Sequence, residues 1–135
     1  MSGAQHTEQS PGPMPSLRHL AAVSALAAVL GGCADNSPPA RVRDGRVKVT
    51  LDDFSITPQR IRARPGRITF AVTNRGEVGH TLRVLRGDKE LAGVKTLLPG
   101  DSGTASGTFA KGRYDLVCIL GNHRVLGMYG TLTVR

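Results

Sequence analysis

The sequence predicts an all-β fold, a Greek-key β-sandwich or barrel of seven to eight strands. Three observations predict it. From Arg46 onward, apolar and polar residues alternate in short runs, the period-2 signature of strands buried on one face. Turn residues break those runs at short intervals: Gly 17 and Pro 8 make about 19% of the chain, against a usual ~12%. The same region carries no long stretch with the 3.6-residue period of a helix.

The strands follow in order. Val47, Val49 and Leu51 alternate with Arg46, Lys48 and Thr50, which reads as a half-buried strand. Arg60, Arg62 and Arg64 alternate with Ile61 and Ala63, so the arginines share one solvated face. Pro65-Gly66 is a turn. Ile68, Phe70 and Val72 then alternate with Thr69, Ala71 and Thr73, and Asn74-Arg75-Gly76 closes that strand. His80 to Leu85 is the next strand, with Leu82 and Val84 inward. The stretch from Gly87 to Leu98 has no clear period and is expected to hold a helical turn. Pro99-Gly100-Asp101 is a turn, Ser102 to Phe109 a strand, and Ala110-Lys111-Gly112 a tight connection. Tyr114, Leu116 and Cys118 alternate with Asp115 and Val117, and Thr131 to Arg135 closes the fold with Leu132 and Val134 inward. A domain of this size hides roughly 65% of its unfolded surface, an adequate but thin core.

Residues 1–32 read as a leader. Leu20 to Leu30 is LAAVSALAAVL, an apolar run too short for the ~20 residues that cross a bilayer as a helix. With Arg18 as its positive flank it fits the apolar centre of a secretory signal. Leu30-Gly31-Gly32-Cys33 resembles the bacterial lipobox, which makes Cys33 the lipidated N-terminus of the exported chain. The alternative is an ordinary signal cleaved nearby, leaving Cys33 as a spare thiol. Residues 33–45 then form a lipidated, Pro-rich tether, and 46–135 the folded domain. The expected location is outside the cytoplasmic membrane, lipid-anchored and facing the periplasm or outer cell surface.

Composition excludes several classes. Two cysteines rule out a disulfide-stapled miniprotein and a four-thiolate zinc site. Lys+Arg 18 against Asp+Glu 10 leaves a net charge of +8. Loss of the leader removes one residue of each sign (Arg18 and Glu8), so the domain stays equally basic. Its arginines are not interleaved with stacking aromatics, which argues against nucleic acid. Arg60, Arg62, Arg64 and Arg67 offer a docking face for an acidic redox partner or for anionic lipid beside the anchor, or simply a solvated strand.

The chemistry rests on four residues. Beyond the leader and apart from Cys33, the soft or borderline metal donors are His80, Cys118, His123 and Met128. Three of them form C-x4-H-x4-M, and His80 lies 38 positions upstream of the cysteine. Singly each has an ordinary explanation: a satisfied histidine, an inert buried thiol, a core methionine. Their joint occurrence points to a metal. A thiolate and two imidazoles in a plane with a weak axial thioether describe a blue-copper electron-transfer site. Zinc could use the first three donors but has no use for a thioether.

These residues resemble the cupredoxins, the plastocyanin and azurin family. The similarity covers about residues 46–135. The run Gly112-x-Tyr114-x3-Cys118-x4-His123-x3-Gly127-Met128-x-Gly130-x-Leu132-x-Val134 looks like that family's copper loop and last strand, and Gly79-His80 like its upstream ligand. The resemblance implies one type 1 copper held by His80, Cys118 and His123 in the plane and by Met128 axially, with Gly79 offering a further weak axial carbonyl. It implies a single-electron carrier rather than an enzyme, exchanging electrons with a donor and an acceptor such as a cytochrome or a copper oxidoreductase. Leu120, Val125 and Leu126 would form the docking patch around His123. The alternatives are a copper-binding lipoprotein for chaperoning or resistance, and a metal-free scaffold module. One departure bears on the site. Cupredoxins commonly carry Asn directly after the upstream histidine, where its side chain ties the ligand loops together; here that position is Thr81.

Overall fold

The computed structural model describes residues 37–135, together with the isolated Gly12. The expected signal and the expected lipidation at Cys33 lie outside the described residues. Among the described residues, no helix is long and apolar enough to cross a membrane.

Ten strands form two sheets. They are β1 (Ala40–Arg41), β2 (Arg46–Asp52), β3 (Ser55–Thr57), β4 (Arg60–Ala63), β5 (Gly66–Asn74), β6 (Arg83–Arg86), β7 (Lys89–Gly93), β8 (Ser102–Phe109), β9 (Gly112–Val117) and β10 (Tyr129–Val134). One sheet has the order β1-β4-β10-β9-β6-β7 and the other β3-β2-β5-β8. The chain changes sheet repeatedly, so β4 pairs in parallel with the distant β10 and β2 in parallel with β5. This is the expected all-β sandwich, with more strands than the seven or eight predicted.

Alternation works as expected wherever one face meets the core. Ile68, Phe70 and Val72 of β5 are buried, as are Val49 and Leu51 of β2 and Leu132 and Val134 of β10. Phe70 meets Phe109 edge to face at 6.0 Å, and Phe109 meets Tyr114 at 5.1 Å. That aromatic stack joins the sheets, since Phe70 and Phe109 belong to one and Tyr114 to the other. The Tyr114 hydroxyl donates to the Ala110 carbonyl at 2.8 Å, which satisfies a polar group that would otherwise be stranded in the core.

Several elements differ from expectation. Residues 40–42 fall in the expected tether but join the sheet: Ala40 and Arg41 pair with Ile61 and Arg62, and Val42 packs against the core. Gly87–Leu98 holds no helical turn; Lys89–Gly93 pairs back on β6 as a hairpin. The strand expected from His80 begins only at Arg83, and His80 instead makes an isolated bridge to Leu97. Among the described residues the one helix, α1 (His123–Leu126), is a single turn within the C-x4-H-x4-M loop.

At the far ends of β4 and β10, Arg41, Arg43, Arg62, Arg64 and Arg135 line a groove of about 470 Å³. Arg41 and Arg62 are directly opposite in register. Among the described residues, no acidic side chain forms an ion pair with any of the five.

Candidate metal centre

Three chain segments converge at the opposite end of the sandwich. The first is the loop after β5, which ends at His80. Asn74 organises it: its side-chain amide donates to the Val78 and Leu97 carbonyls at 2.8 and 2.9 Å. Its oxygen accepts from Gly76 N–H at 2.9 Å. Asn74 is fully buried and these three bonds use nearly its whole hydrogen-bonding capacity. The bridge of His80 to Leu97, 3.0 Å and 2.8 Å in its two directions, then fixes the backbone from which the imidazole projects.

The second segment carries the remaining donors. Cys118 is the first residue past β9, and its N–H donates to the Met128 carbonyl at 3.1 Å, while Met128 N–H donates to the His123 carbonyl at 3.0 Å. The loop therefore closes on itself, with Met128 hydrogen-bonded through its backbone to both of the other donors. Helix α1 makes the return turn, and Gly127 ends it at φ +131°. A side chain there would be strained, and a Cβ would stand 2.7 Å from the Phe54 carbonyl oxygen, so the position needs glycine.

These segments bring His80, Cys118 and His123 together with one donor atom each, all within 4.8 Å of one another. His80 Nδ1 lies 3.2 Å from His123 Nδ1, which is 3.6 Å from Cys118 Sγ. His80, Cys118 and Met128 are buried and His123 is half-buried. Three of the four expected ligands, His80, Cys118 and His123, thus meet at one place, and buried Met128 is tied to the last two through its backbone.

Thr81, directly after His80, ties the two loops together. Its N–H donates to Cys118 Sγ at 3.4 Å, its hydroxyl lies 4.0 Å from the same sulfur, and its Oγ1 accepts from Ile119 N–H at 3.4 Å. The threonine links the His80 loop to the cysteine loop on both sides of Cys118.

The third segment is the turn between β2 and β3, which sequence reasoning missed. Asp53 Oδ1 lies 2.6 Å from His80 Nε2, and Asp53 Oδ2 accepts from Glu77 N–H at 2.7 Å. The Glu77 N–H, followed by the hydrogen bond and charge of His80 and by the Val78 N–H, holds the Asp53 carboxyl below its ordinary range against partial desolvation. A carboxylate can only accept, so His80 carries a proton on Nε2 and turns Nδ1 toward the cluster. Phe54 then covers the two rings, 4.9 Å from His123 and 6.1 Å from His80, edge to face. No local pattern marks Asp53, since the contact spans 27 positions of chain. The only available signal was that a buried ligand histidine requires some acceptor.

The donor set passes a chemical test. Two imidazole nitrogens at 3.2 Å repel unless a proton or a cation stands between their lone pairs. The two nitrogens stand beside a sulfur, the mixed donor set that suits a thiophilic metal ion.

The rim is apolar, though not as expected throughout. Val125 is 86% exposed, Leu126 50% and Ile119 56%. Leu120, by contrast, is half-buried and packs against the core, because it leads into the turn ahead of α1.

No family model matches the sequence, and no curated protein matches it either. Among solved structures, the chain is similar to the reduced auracyanin of Roseiflexus castenholzii, with a TM-score of 0.65 and 19% identity over 70% of this chain and 99% of that one. Auracyanin A of Chloroflexus aurantiacus, a "blue" copper protein, gives a TM-score of 0.60 at 13% identity over 71% and 100%. An azurin from Methylomonas sp. strain J gives 0.62 at 13% over 69% and 99%. The domain therefore has the cupredoxin fold.

Proposed function

We propose that the chain binds one copper ion at His80, Cys118 and His123, with Met128 as the fourth residue that would hold it, and carries single electrons between redox proteins. The observation that carries this reading is the buried His–Cys–His cluster at one end of a cupredoxin sandwich. Copper, when bound, supplies reversible one-electron chemistry. The protein's part is to hold the donors still: Asn74, Thr81, Asp53 and the Cys118–Met128–His123 backbone bonds anchor each of them. A site so constrained changes little between oxidation states, which keeps transfer fast. Val125 and Leu126 give a partner an apolar surface beside the half-buried His123. A full set of protein donors leaves no position for substrate, so the role is that of a carrier and not an enzyme.

The location belongs to the same proposal. The apolar run before Cys33 supports export and lipid anchoring. The arginine groove lies at the far end of β10, about 13 Å along the strand from Tyr129. That place suits contact with anionic headgroups and leaves the apolar rim to redox partners.

The test is a visible absorption spectrum of the chain with one equivalent of Cu(II), before and after ascorbate, with Cys118→Ser as control. The expected result is an intense blue band that bleaches on reduction, returns with oxidant and is abolished in the control. A pale complex that loses its copper quickly to a chelator would favour chaperoning over electron transfer.

A further inference from the structure

We infer that Asp53 is a positioning residue for the metal centre, acting through His80 as a buttressing anion that favours the oxidised over the reduced ion. The inference rests on the copper reading above and goes beyond it in assigning a role outside the four donors. Three features set this carboxylate apart from a surface acid that happens to lie near a histidine. Both of its oxygens are used: Oδ1 faces His80 Nε2 at 2.6 Å and Oδ2 accepts the Glu77 N–H at 2.7 Å, so the group is held at two points although it is exposed. The histidine it holds is fully buried, and its other nitrogen belongs to the cluster. The backbone is also shaped to seat the pair. Gly76 is buried against it, and a Cβ at that position would collide with Asp53 Oδ1 and come within 2.8 Å of His80 Nε2.

The physical consequence follows from charge. A carboxylate accepting the Nε2 proton increases the electron density that the ring offers through Nδ1, and outer partners of this kind fix tautomer and ligand basicity. Asp53 itself is exposed, so water screens part of its negative charge; the part that reaches the ion past the buried ring stabilises the doubly charged ion more than the singly charged one. Asp53 thereby lowers the reduction potential of the site, while the donors themselves stay unchanged.

The experiment compares the full chain with Asp53→Asn and Asp53→Ala. Asparagine keeps an acceptor for the Nε2 proton and removes only the charge. Its Cu(II) affinity is expected to fall about tenfold relative to Cu(I), a rise in potential of ~59 mV for one electron, with the blue band retained. Alanine removes the acceptor as well, and its Cu(II) affinity is expected to fall about 10–100-fold. An unchanged potential in Asp53→Asn would overturn the inference, leaving Asp53 with a purely structural part. A second measurement needs neither copper nor a variant: nitrogen NMR of the metal-free chain should show His80 as the Nε2-protonated tautomer, and the Nδ1-protonated form would also overturn it. Absence of a blue band in the unaltered chain would instead defeat the copper reading. The tautomer would still report on Asp53.

Discussion

Where β10 begins, Tyr129 follows Met128 out of the loop that carries two of the clustered donors, beside exposed Val125 and Leu126. Four residues further on, Thr133 pairs with Arg62, which faces Arg41 in a groove with Arg43, Arg64 and Arg135. The two ends of one strand therefore meet their surroundings by different physics. At the first, close apolar contact can bring a partner near the half-buried His123 without the cost of stripping water from charges. At the second, five arginines share one groove, and among the described residues no acidic side chain forms an ion pair with any of them. The comparison teaches that the sandwich separates two surfaces: an apolar rim beside the donor cluster, where the one carboxylate in contact is tied to His80, and a cluster of arginines at the far end.

Breaking the scaffold that both ends share should have the largest effect. Phe70 is fully buried and stacks edge to face on Phe109, which in turn meets Tyr114 across the sheets. Phe70→Ala is expected to cost about 3–5 kcal/mol of stability, measured by denaturant unfolding of the metal-free chain. Both ends should loosen together: anion binding at the groove and metal affinity at the cluster should fall in the same variant. Loss at one end alone would mean that the ends fold as separate units.

The same scaffold explains what was legible in the sequence. Strands β2, β5, β8 and β10 could be read because each buries alternate residues over six or more positions, long enough for a period to show. Ala40–Arg41 and Ser55–Thr57 are two and three residues long, too short for any period. Lys89–Gly93 carries Lys, Glu, Ala and Gly, residues with weak strand preference, and is held by its pairing with β6. His80, Cys118, His123 and Met128 could be read because the domain has no competing soft donors. Asp53 and Asn74 could not, because each acts through contacts that only the folded chain creates, and Asx residues in turns are common for local reasons.

A sharper test of the metal end concerns Thr81. Valine in its place keeps the shape and the backbone N–H donor to Cys118 but removes the hydroxyl that accepts from Ile119 N–H. Leaving that donor unpartnered is expected to cost about 1–3 kcal/mol, read as reduced stability of the metal-free chain. The sulfur would also lose its 4.0 Å hydroxyl neighbour, so the blue band and the potential should shift while binding at the arginine groove stays unchanged. Unaltered stability and spectrum together would show that Thr81 does not replace the loop-tying asparagine.

The smallest effect is expected at the arginine end, where single charges act across water. Arg62 is half-buried between Arg41 and the strand end, and it touches none of the three clustered donors. In a chain carrying Cys33→Ser, so that no lipid is attached, binding to vesicles containing anionic phospholipid should weaken about fivefold on Arg62→Ser. That corresponds to about 1 kcal/mol for one basic side chain at such a surface. The difference should shrink as salt is raised, because exposed charges are screened over a Debye length. Vesicles of zwitterionic lipid should show no difference between the two chains, and the spectrum of the copper-loaded protein should be the same in both. Equal binding to anionic vesicles would remove the lipid role from the groove. Tighter binding of an acidic redox partner to the unaltered chain than to the variant would instead assign the groove to protein docking, and the two ends of β10 would then serve the same encounter.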